Sequence, residues 1–541
     1  MNKRRISTLV SLALAGAIVV GIAACGHSSD SCDDACMTGE LKSKVGTIVV
    51  IYAENRSFDN LYGLFPGANG IPGVNTSATG TISPQLDRNA AGTMLTKLPQ
   101  TWGGVTAAGQ QPVVTQAQSD NLANGPFRID TTFGVGSSVV TRDLYHRFFE
   151  NQMQINGGKN DKFAGYADSG GLVMGYYDGS GMALWNVAKQ NVLADNFFMG
   201  AFGGSFLNHQ YLICACAPEY PNADTSPAHP TIAKLDTDAS GAALPKLTLG
   251  ATAPASALDG PPTYVLSGNI VPKNYFGDGT FRAVNTMQPA YQPSGNAPAA
   301  SDTTGLYANP AAATTLPPQT QMNVGDQLTA KNIAWKWYAG AWASASANRS
   351  VIYNNTVPNF QAHHHPFNYY ASMDPVTAST SRSAHLKDYN DLVSDAAAGT
   401  LPPVVFYKPE GDLNQHPGYA SVAVGDAHIA DVIAKLQASP QYAAGMVILV
   451  TYDENGGFWD HVAPPKGDLL GPSMRIPAII VSPLAKKGTV DHTAYDTASA
   501  LRLIARRFGL DPLPGITARD NALKANGAQP MGDLTAALNL H

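Results

Sequence analysis

A mostly parallel α/β sheet with helices on both faces is the fold that this 541-residue sequence predicts, and two patterns predict it. Continuous apolar, β-branched runs return four times, each ending in polar or acidic residues, and segments with apolar residues at helical spacing lie among the later ones. A run without polar alternation marks a strand buried on both faces. Alternation of such strands with helices indicates a mostly parallel sheet. In sheets of this kind ligands collect beyond the carboxyl ends of the strands, so the residues after each run are the place to look for chemistry.

The first run, Val45 to Ala53 (VGTIVVIYA), ends at Glu54; the others are Leu401 to Tyr407 (LPPVVFY), Gly445 to Tyr452 (GMVILVTY) and Ile476 to Ser482 (IPAIIVS). Ser421 to Gln437 and Thr493 to Phe508 carry helical spacing, and Gly509 suits a C-terminal cap. Two stretches, 68–125 and 217–330, are rich in Gly, Pro, Ala, Ser and Thr and lack periodic apolar residues. They read as surface insertions or irregular loops, or in a functional version as a lid. No internal repeat is found. The resulting layout is a leader over 1–24, a linker over 25–44 and a single domain over 45–541 with those two insertions.

At 44% hydrophobic and 14% charged residues the chain can build a proper core, which excludes disorder throughout. There are 34 basic and 40 acidic residues, and no Lys/Arg-rich run follows the first five positions, so no electrostatic surface for nucleic acid is indicated. Lys3, Arg4 and Arg5, then an apolar run, then small residues before Cys25 have the layout of a secretory signal. A membrane anchor is the alternative, because Ile6 to Ala24 approaches the roughly 20 residues that cross a bilayer; the small-residue end favours cleavage. Ile22-Ala23-Ala24-Cys25 also resembles the lipobox of bacterial lipoproteins, in which the cysteine carries the membrane-attaching lipid. The expected location is therefore outside the cytoplasm: periplasmic, at the outer membrane as a lipoprotein, or secreted. Without Cys25 the cysteines Cys32, Cys36, Cys214 and Cys216 form an even set suited to an oxidising compartment, with their pairing open. Neither C-x3-C nor C-x-C has the second pair that a structural zinc site needs.

Three strand ends hold the chemical candidates. Glu54 and Asn55 (AENRSFDN) offer a carboxylate and an amide oxygen to a hard divalent cation or a phosphoryl group; turn chemistry is the bland reading. Asp453 and Glu454 follow the third run directly, and adjacent carboxylates at the end of a buried strand repel unless a cation or proton neutralises them. Histidines fall in separate loop contexts: His146, the triplet His363, His364, His365 before PFNYY, and His416 in EGDLNQHPGY. Each alone is more often structural, but together they suit a pocket that holds phosphoryl oxygens and moves a proton. Ser205, in MGAFGGSFLNHQY, is the nucleophile candidate: two glycines allow close backbone approach. The segment lacks the final glycine of a G-x-S-x-G elbow, so a Ser-His-Asp triad is the second choice, and a plain helix cap is the structural reading.

Taken together, AENRSFDNLYG, INGGKNDKF, AFGGSFLNH, HHHPFNYY, EGDLNQHPG, TYDENGGFWDHVAPP and ALRLIARRFGL resemble the phosphoesterase family that unites bacterial phospholipases C with serine-dependent acid phosphatases, from about Val45 to about Leu513. The resemblance implies an alkaline-phosphatase-like α/β core and hydrolysis of phosphate esters. It implies that a divalent metal is held by Glu54, Asn55, Ser205, Asp453 and Glu454, that Ser205 is the nucleophile, and that His146, His416 and two of the triplet, His363 and His364, contact phosphate. Gly-Gly-Ser replaces the Gly-Pro-Thr of the phospholipase C members, which points to the acid phosphatase branch, with phospholipase C as the alternative. A binding lipoprotein that keeps the fold without catalysis is a further class. Protonated imidazoles would suit an acidic optimum. Oxygen donors suit Ca²⁺, Mg²⁺ and Mn²⁺ alike, and nearby histidines would admit Zn²⁺ or Fe.

Overall fold

Every residue of strand β1 (Thr47–Ala53) is buried, and because successive side chains point to opposite faces both faces of the sheet around it are covered. The computed structural model describes residues 33–541; the leader over 1–24, Cys25 and Cys32 lie outside them. The remaining strands of the central sheet are β2 (Val192–Ala194), β3 (Trp335–Ala339), β4 (Leu386–Asp388), β5 (Val404–Lys408), β6 (Met446–Tyr452), β7 (Ala478–Val481) and β8 (Thr489–Asp491). Their order is β4-β3-β5-β1-β6-β7-β2-β8. β1 pairs in parallel with β5 and β6, in register Ile51 with Tyr407 and Ala53 with Tyr452. Burial of Ile48, Val49, Val50 and Ile51, each at most 1% exposed, stabilises the centre by about 1.5–3 kcal/mol per side chain.

Helices pack in two groups: α2 (Ala183–Gln190), α4 (Tyr389–Ala398) and α5 (Val422–Ala438) in one, α1 (Asp34–Lys44), α3 (Ser205–Cys214) and α6 (Ala498–Phe508) in the other. α5 starts where Ser421 accepts the Val424 N–H and buries Val422, Ile429, Val432, Ile433 and Leu436. Its Asp426 accepts from the N–H groups of Ala183 and Leu184 at 2.6 and 3.0 Å, so a carboxylate of one helix caps the next. α6 ends at Gly509, left-handed at φ 67°.

Two differences from the sequence expectation have physical causes. Residues 34–44, expected as linker, form α1: Asp33 caps it through the Cys36 N–H, Leu41 is fully buried, and Arg506 of α6 reaches the Asp34 carboxylate at 2.6 Å. The fourth apolar run forms β7 as expected, but antiparallel to both neighbours. Its preceding residues, ending at Arg475, therefore lie at the functional end of the sheet, and Ser482 does not. Among the described residues no helix is long and apolar enough to cross a membrane. Cys214 is bonded to Cys216, and Cys36 is disulfide-bonded as well.

The insertions are built, not merely loose. The second contains the antiparallel pairs Leu235–Thr237 with Ala243–Leu247 and Ile270–Val271 with Arg282–Ala283. Arg88 of the first donates to the carbonyls of Pro254, Ser256 and Gly260 of the second.

Arg475, fully buried, ties together the loops after β1 and β6. It donates to Asp59 Oδ1 at 3.0 Å and Asp460 Oδ1 at 3.1 Å, to the carbonyls of Asn69 and Asp195, and lies over the Phe58 ring at 4.2 Å. Removing one partner of a buried pair strands the others in low dielectric. Arg475→Met is expected to cost about 3–5 kcal/mol, read from the denaturant midpoint; an unchanged midpoint would contradict this role.

Candidate active site

The parallel register places the ends of β1, β5 and β6 side by side, and each end carries a charge. Glu54 and Asn55 leave β1, Asp453 and Glu454 leave β6, and Lys408 is the last residue of β5. All five are at most 2% exposed. The Asn55 N–H donates to Asp453 Oδ1 at 3.1 Å, which locks the two loops together, and Asn55 takes a left-handed backbone at φ 58°, a conformation asparagine tolerates better than most residues.

Ser205 is the first residue of α3, with Gly204 as the N-cap. Its hydroxyl does not cap the helix but reaches Glu54 Oε2 at 3.1 Å and Asn55 Oδ1 at 3.3 Å. The preceding glycines are required. Gly203 has φ 87°, and a Cβ there would lie 2.5 Å from the Phe148 nitrogen; at Gly204 it would lie 2.8 Å from the His146 carbonyl oxygen. The helix amino end, with its unpaired N–H groups, faces the same pocket and favours an anion there.

Burial drives the carboxylates upward. Glu54 is pushed well above the usual range by burial and then by Asp453, with Lys408 opposing; Asp453 and Glu454 are raised by burial first. The ammonium of Lys408 sits on Glu54 Oε1 and donates to the Tyr52 carbonyl at 3.0 Å. One lysine thus faces three carboxylates. Asp453 Oδ2, Glu454 Oε1 and Asn55 Nδ2 are buried without a hydrogen-bond partner. Two orphaned carboxylate oxygens in one buried acidic cluster are an environment that a hard divalent cation would satisfy, and this set of oxygen donors suits one.

The histidines divide. His146 donates from Nδ1 to the Leu144 carbonyl at 2.5 Å, and its Nε2 is 3.6 Å from Glu454 Oε1. The His416 ring stands edge-on to it at 5.6 Å, with its Nδ1 on the Pro417 carbonyl. His363 lines the Ser205 pocket, and His364 Nδ1 lies 3.5 Å from Glu54 Oε1. His365 turns away: it is fully buried, 4.4 Å from Trp342 and 5.7 Å from Trp337 between ring centroids. The structure therefore brings Glu54, Asn55, Ser205, Asp453, Glu454, His146, His363, His364 and His416 to one end of the sheet. Burial lowers His363 to about 3 and holds His364 and His416 well below the ordinary histidine range.

Two further residues belong to the cluster. Lys408 was signalled by its position, a lysine closing a buried strand at the carboxyl edge. His209, one helical turn after Ser205, donates from Nδ1 to the Ser205 carbonyl at 2.7 Å, stacks on His364 at 4.7 Å and lies 3.8 Å from Glu54 Oε1. The i, i+4 spacing within SFLNH was the available signal. The pocket above Ser205 has a volume of about 220 Å³. Asp143, Tyr145 and His146 line one part of it, and Asn285 and Thr286 of the second insertion line another.

Known proteins give this chain a lineage. The model of the Phosphoesterase family matches residues 45–511. Phospholipase C A of Mycobacterium tuberculosis is 24% identical over 526 residues, 91% of this chain and 76% of the relative. Phospholipase C B of the same organism is 29% identical over 239 residues, 40% of this chain, and the chain spans less than half of that relative, 42%. A non-hemolytic phospholipase C of Pseudomonas aeruginosa is 31% identical over 27% of this chain and 25% of its own length. Among solved structures, a protein in the alkaline phosphatase superfamily from Vibrio parahaemolyticus is similar over 65% of each chain at 9% identity and a TM-score of 0.30, too slight a likeness to bear on function. The match over most of its length makes this chain a member of the Phosphoesterase family.

Proposed function

We propose that the protein hydrolyses phosphate esters by attack of Ser205 on phosphorus, with monoesters as substrates. The observation that carries this is the Ser205 hydroxyl, 3.1 Å from Glu54 Oε2 at the floor of a pocket of about 220 Å³. That volume suits a phosphoryl group with a small alcohol and falls below the range typical of pockets enclosing drug-sized ligands. A divalent cation held by Glu54, Asn55, Ser205, Asp453 and Glu454 would acidify the hydroxyl and offset phosphoryl charge. The Ser205 oxygen forms a bond to phosphorus as the ester bond breaks, and its proton has Glu54 Oε2 as the nearest acceptor. Asn55 Nδ2, His363, His364 and His146 surround the place where equatorial oxygens would sit. His416, with Nδ1 committed to the Pro417 carbonyl, handles protons at Nε2, for the leaving alcohol and then for the water that releases phosphate.

Phospholipase C activity is a second reading, favoured by the names of the relatives. It predicts release of a phosphorylated head group from phosphatidylcholine. Nucleic acid is not among the expected partners. Export and a lipid on Cys25 rest on residues outside those described; the disulfides at Cys36 and Cys214–Cys216 support an oxidising compartment.

Purified protein given p-nitrophenyl phosphate and phosphatidylcholine side by side, between about pH 5 and pH 8, is expected to favour the monoester. Preferential head-group release would transfer the protein to the phospholipase C reading, and silence on both would exclude hydrolysis. Ser205→Ala is expected to lose roughly a thousandfold or more of the turnover; retained turnover would refute the serine mechanism. Chelation should lower the melting temperature, and a divalent cation at about 100 times its Kd should restore about 2.7 kcal/mol. Asp453→Asn and Glu454→Gln should abolish that shift, and equal melting with and without cation would count against a metal at these residues.

A further inference from the structure

His363 is held from behind by a phenol that nothing in the proposed chemistry employs. Its Nδ1 is 2.9 Å from the Tyr353 hydroxyl. That hydroxyl receives a hydrogen bond from Gln288 Nε2, also at 2.9 Å. The Gln288 amide is oriented independently, because its Oε1 accepts the Gly295 N–H at 2.9 Å. Gln288 belongs to the second insertion, two residues from Thr286, which lines the Ser205 pocket. Tyr353 adopts φ 55°, a left-handed backbone that is uncommon for a bulky side chain and that persists only where its surroundings hold it. Here its N–H is fixed by the Phe360 carbonyl at 2.9 Å.

The hydrogen-bond roles then follow in sequence. Gln288 Nε2 occupies a lone pair of the phenol oxygen. The phenol proton has two acceptors within reach, Gln288 Oε1 at 3.1 Å, already engaged by Gly295, and the free Nδ1 of His363 at 2.9 Å. The nearer, unengaged acceptor wins. With Nδ1 accepting, a neutral imidazole must carry its proton on Nε2.

We propose that Tyr353, oriented by Gln288, is a positioning residue that fixes His363 as the Nε2–H tautomer and so presents a neutral hydrogen-bond donor to the phosphoryl group above Ser205. The low proton affinity of the buried His363 agrees with a donor that works without acquiring charge. The insertion then contributes more than a wall: its glutamine acts on the His363 imidazole through the phenol between them. The catalytic consequence rests on the phosphoester-hydrolase reading; the tautomer does not.

Nitrogen-15 NMR of histidine-labelled protein reads the tautomer directly, with the His363 signals assigned by their loss in His363→Gln. The expected spectrum has Nδ1 unprotonated and Nε2 protonated in the wild type, and a mixture in Tyr353→Phe. Protonated Nδ1 in the wild type, or an unaltered tautomer in the variant, would overturn the proposal. Kinetically, Tyr353→Phe should lower kcat/KM about tenfold or more, as loss of an imidazole's outer partner does, mainly through kcat. In His363→Gln the amide supplies an Nε2 donor that needs no phenol, so adding Tyr353→Phe should cause no further loss. An equal loss in both backgrounds would assign Tyr353 a merely structural part. Should Tyr353→Phe not fold, the wild-type spectrum alone decides: protonated Nε2 with unprotonated Nδ1 supports the proposal and the reverse overturns it. A wild type silent on every ester would defeat the hydrolase reading, and the NMR result would still decide the tautomer.

Discussion

Three buried carboxylates, Glu54, Asp453 and Glu454, meet at the ends of two parallel strands with the ammonium of Lys408 opposite Glu54. Ionised carboxylates in such a setting are costly to bury unless a positive charge answers them. Lys408 answers one, and Asp453 Oδ2 and Glu454 Oε1 are left without a hydrogen-bond donor. The rest of the molecule is consistent with that constraint. Apolar strands on both sides fix the spacing of the loops, Arg475 ties the β1 and β6 loops to one another, and the Asn55 N–H bonds directly to Asp453. The charge concentration that would weaken an ordinary core is the feature from which cation binding and serine activation both derive.

Around this centre burial holds His209, His363, His364 and His416 below the ordinary histidine range. Backbone carbonyls hold the Nδ1 atoms of His146, His209 and His416, while His363 is held by a phenol. The difference matters chemically. A ring whose Nδ1 proton is donated to a carbonyl offers a lone pair at Nε2, whereas one whose Nδ1 accepts offers a proton there. The site therefore contains both donors and acceptors at the same nominal residue type, set by what lies behind each ring.

Much of this was legible in the sequence. The runs that became β1, β5, β6 and β7 were visible because strands buried on both faces have no polar alternation, and the pairs Glu54-Asn55 and Asp453-Glu454 stood out as polar residues directly after them. The direction of β7 was not legible: an apolar run looks the same whichever way it enters the sheet, so the place of Arg475 needed the fold. α1 was missed because its short, mostly exposed helix has almost no apolar face. Lys408 and His209 lay inside segments already singled out, yet their roles depend on cross-strand register and on one turn of helix, which only assembly supplies. How the triplet divides likewise depends on packing: His365 lies against Trp342 and Trp337, while His363 lines the Ser205 pocket and His364 approaches Glu54. The Tyr353 contact joins residues ten apart across a left-handed turn, and no spacing rule announces it.

The central claim is that the Ser205 oxygen itself becomes bonded to phosphorus. Rapid acid quenching during turnover, followed by mass spectrometry of the peptide containing GGSFLNH, tests it most directly. The account predicts a phosphoryl group on Ser205 that appears within the first turnover and disappears when substrate is exhausted. An unmodified Ser205 throughout steady turnover, together with inversion of configuration at a chiral phosphorus, would mean that water attacks in a single step and would contradict it.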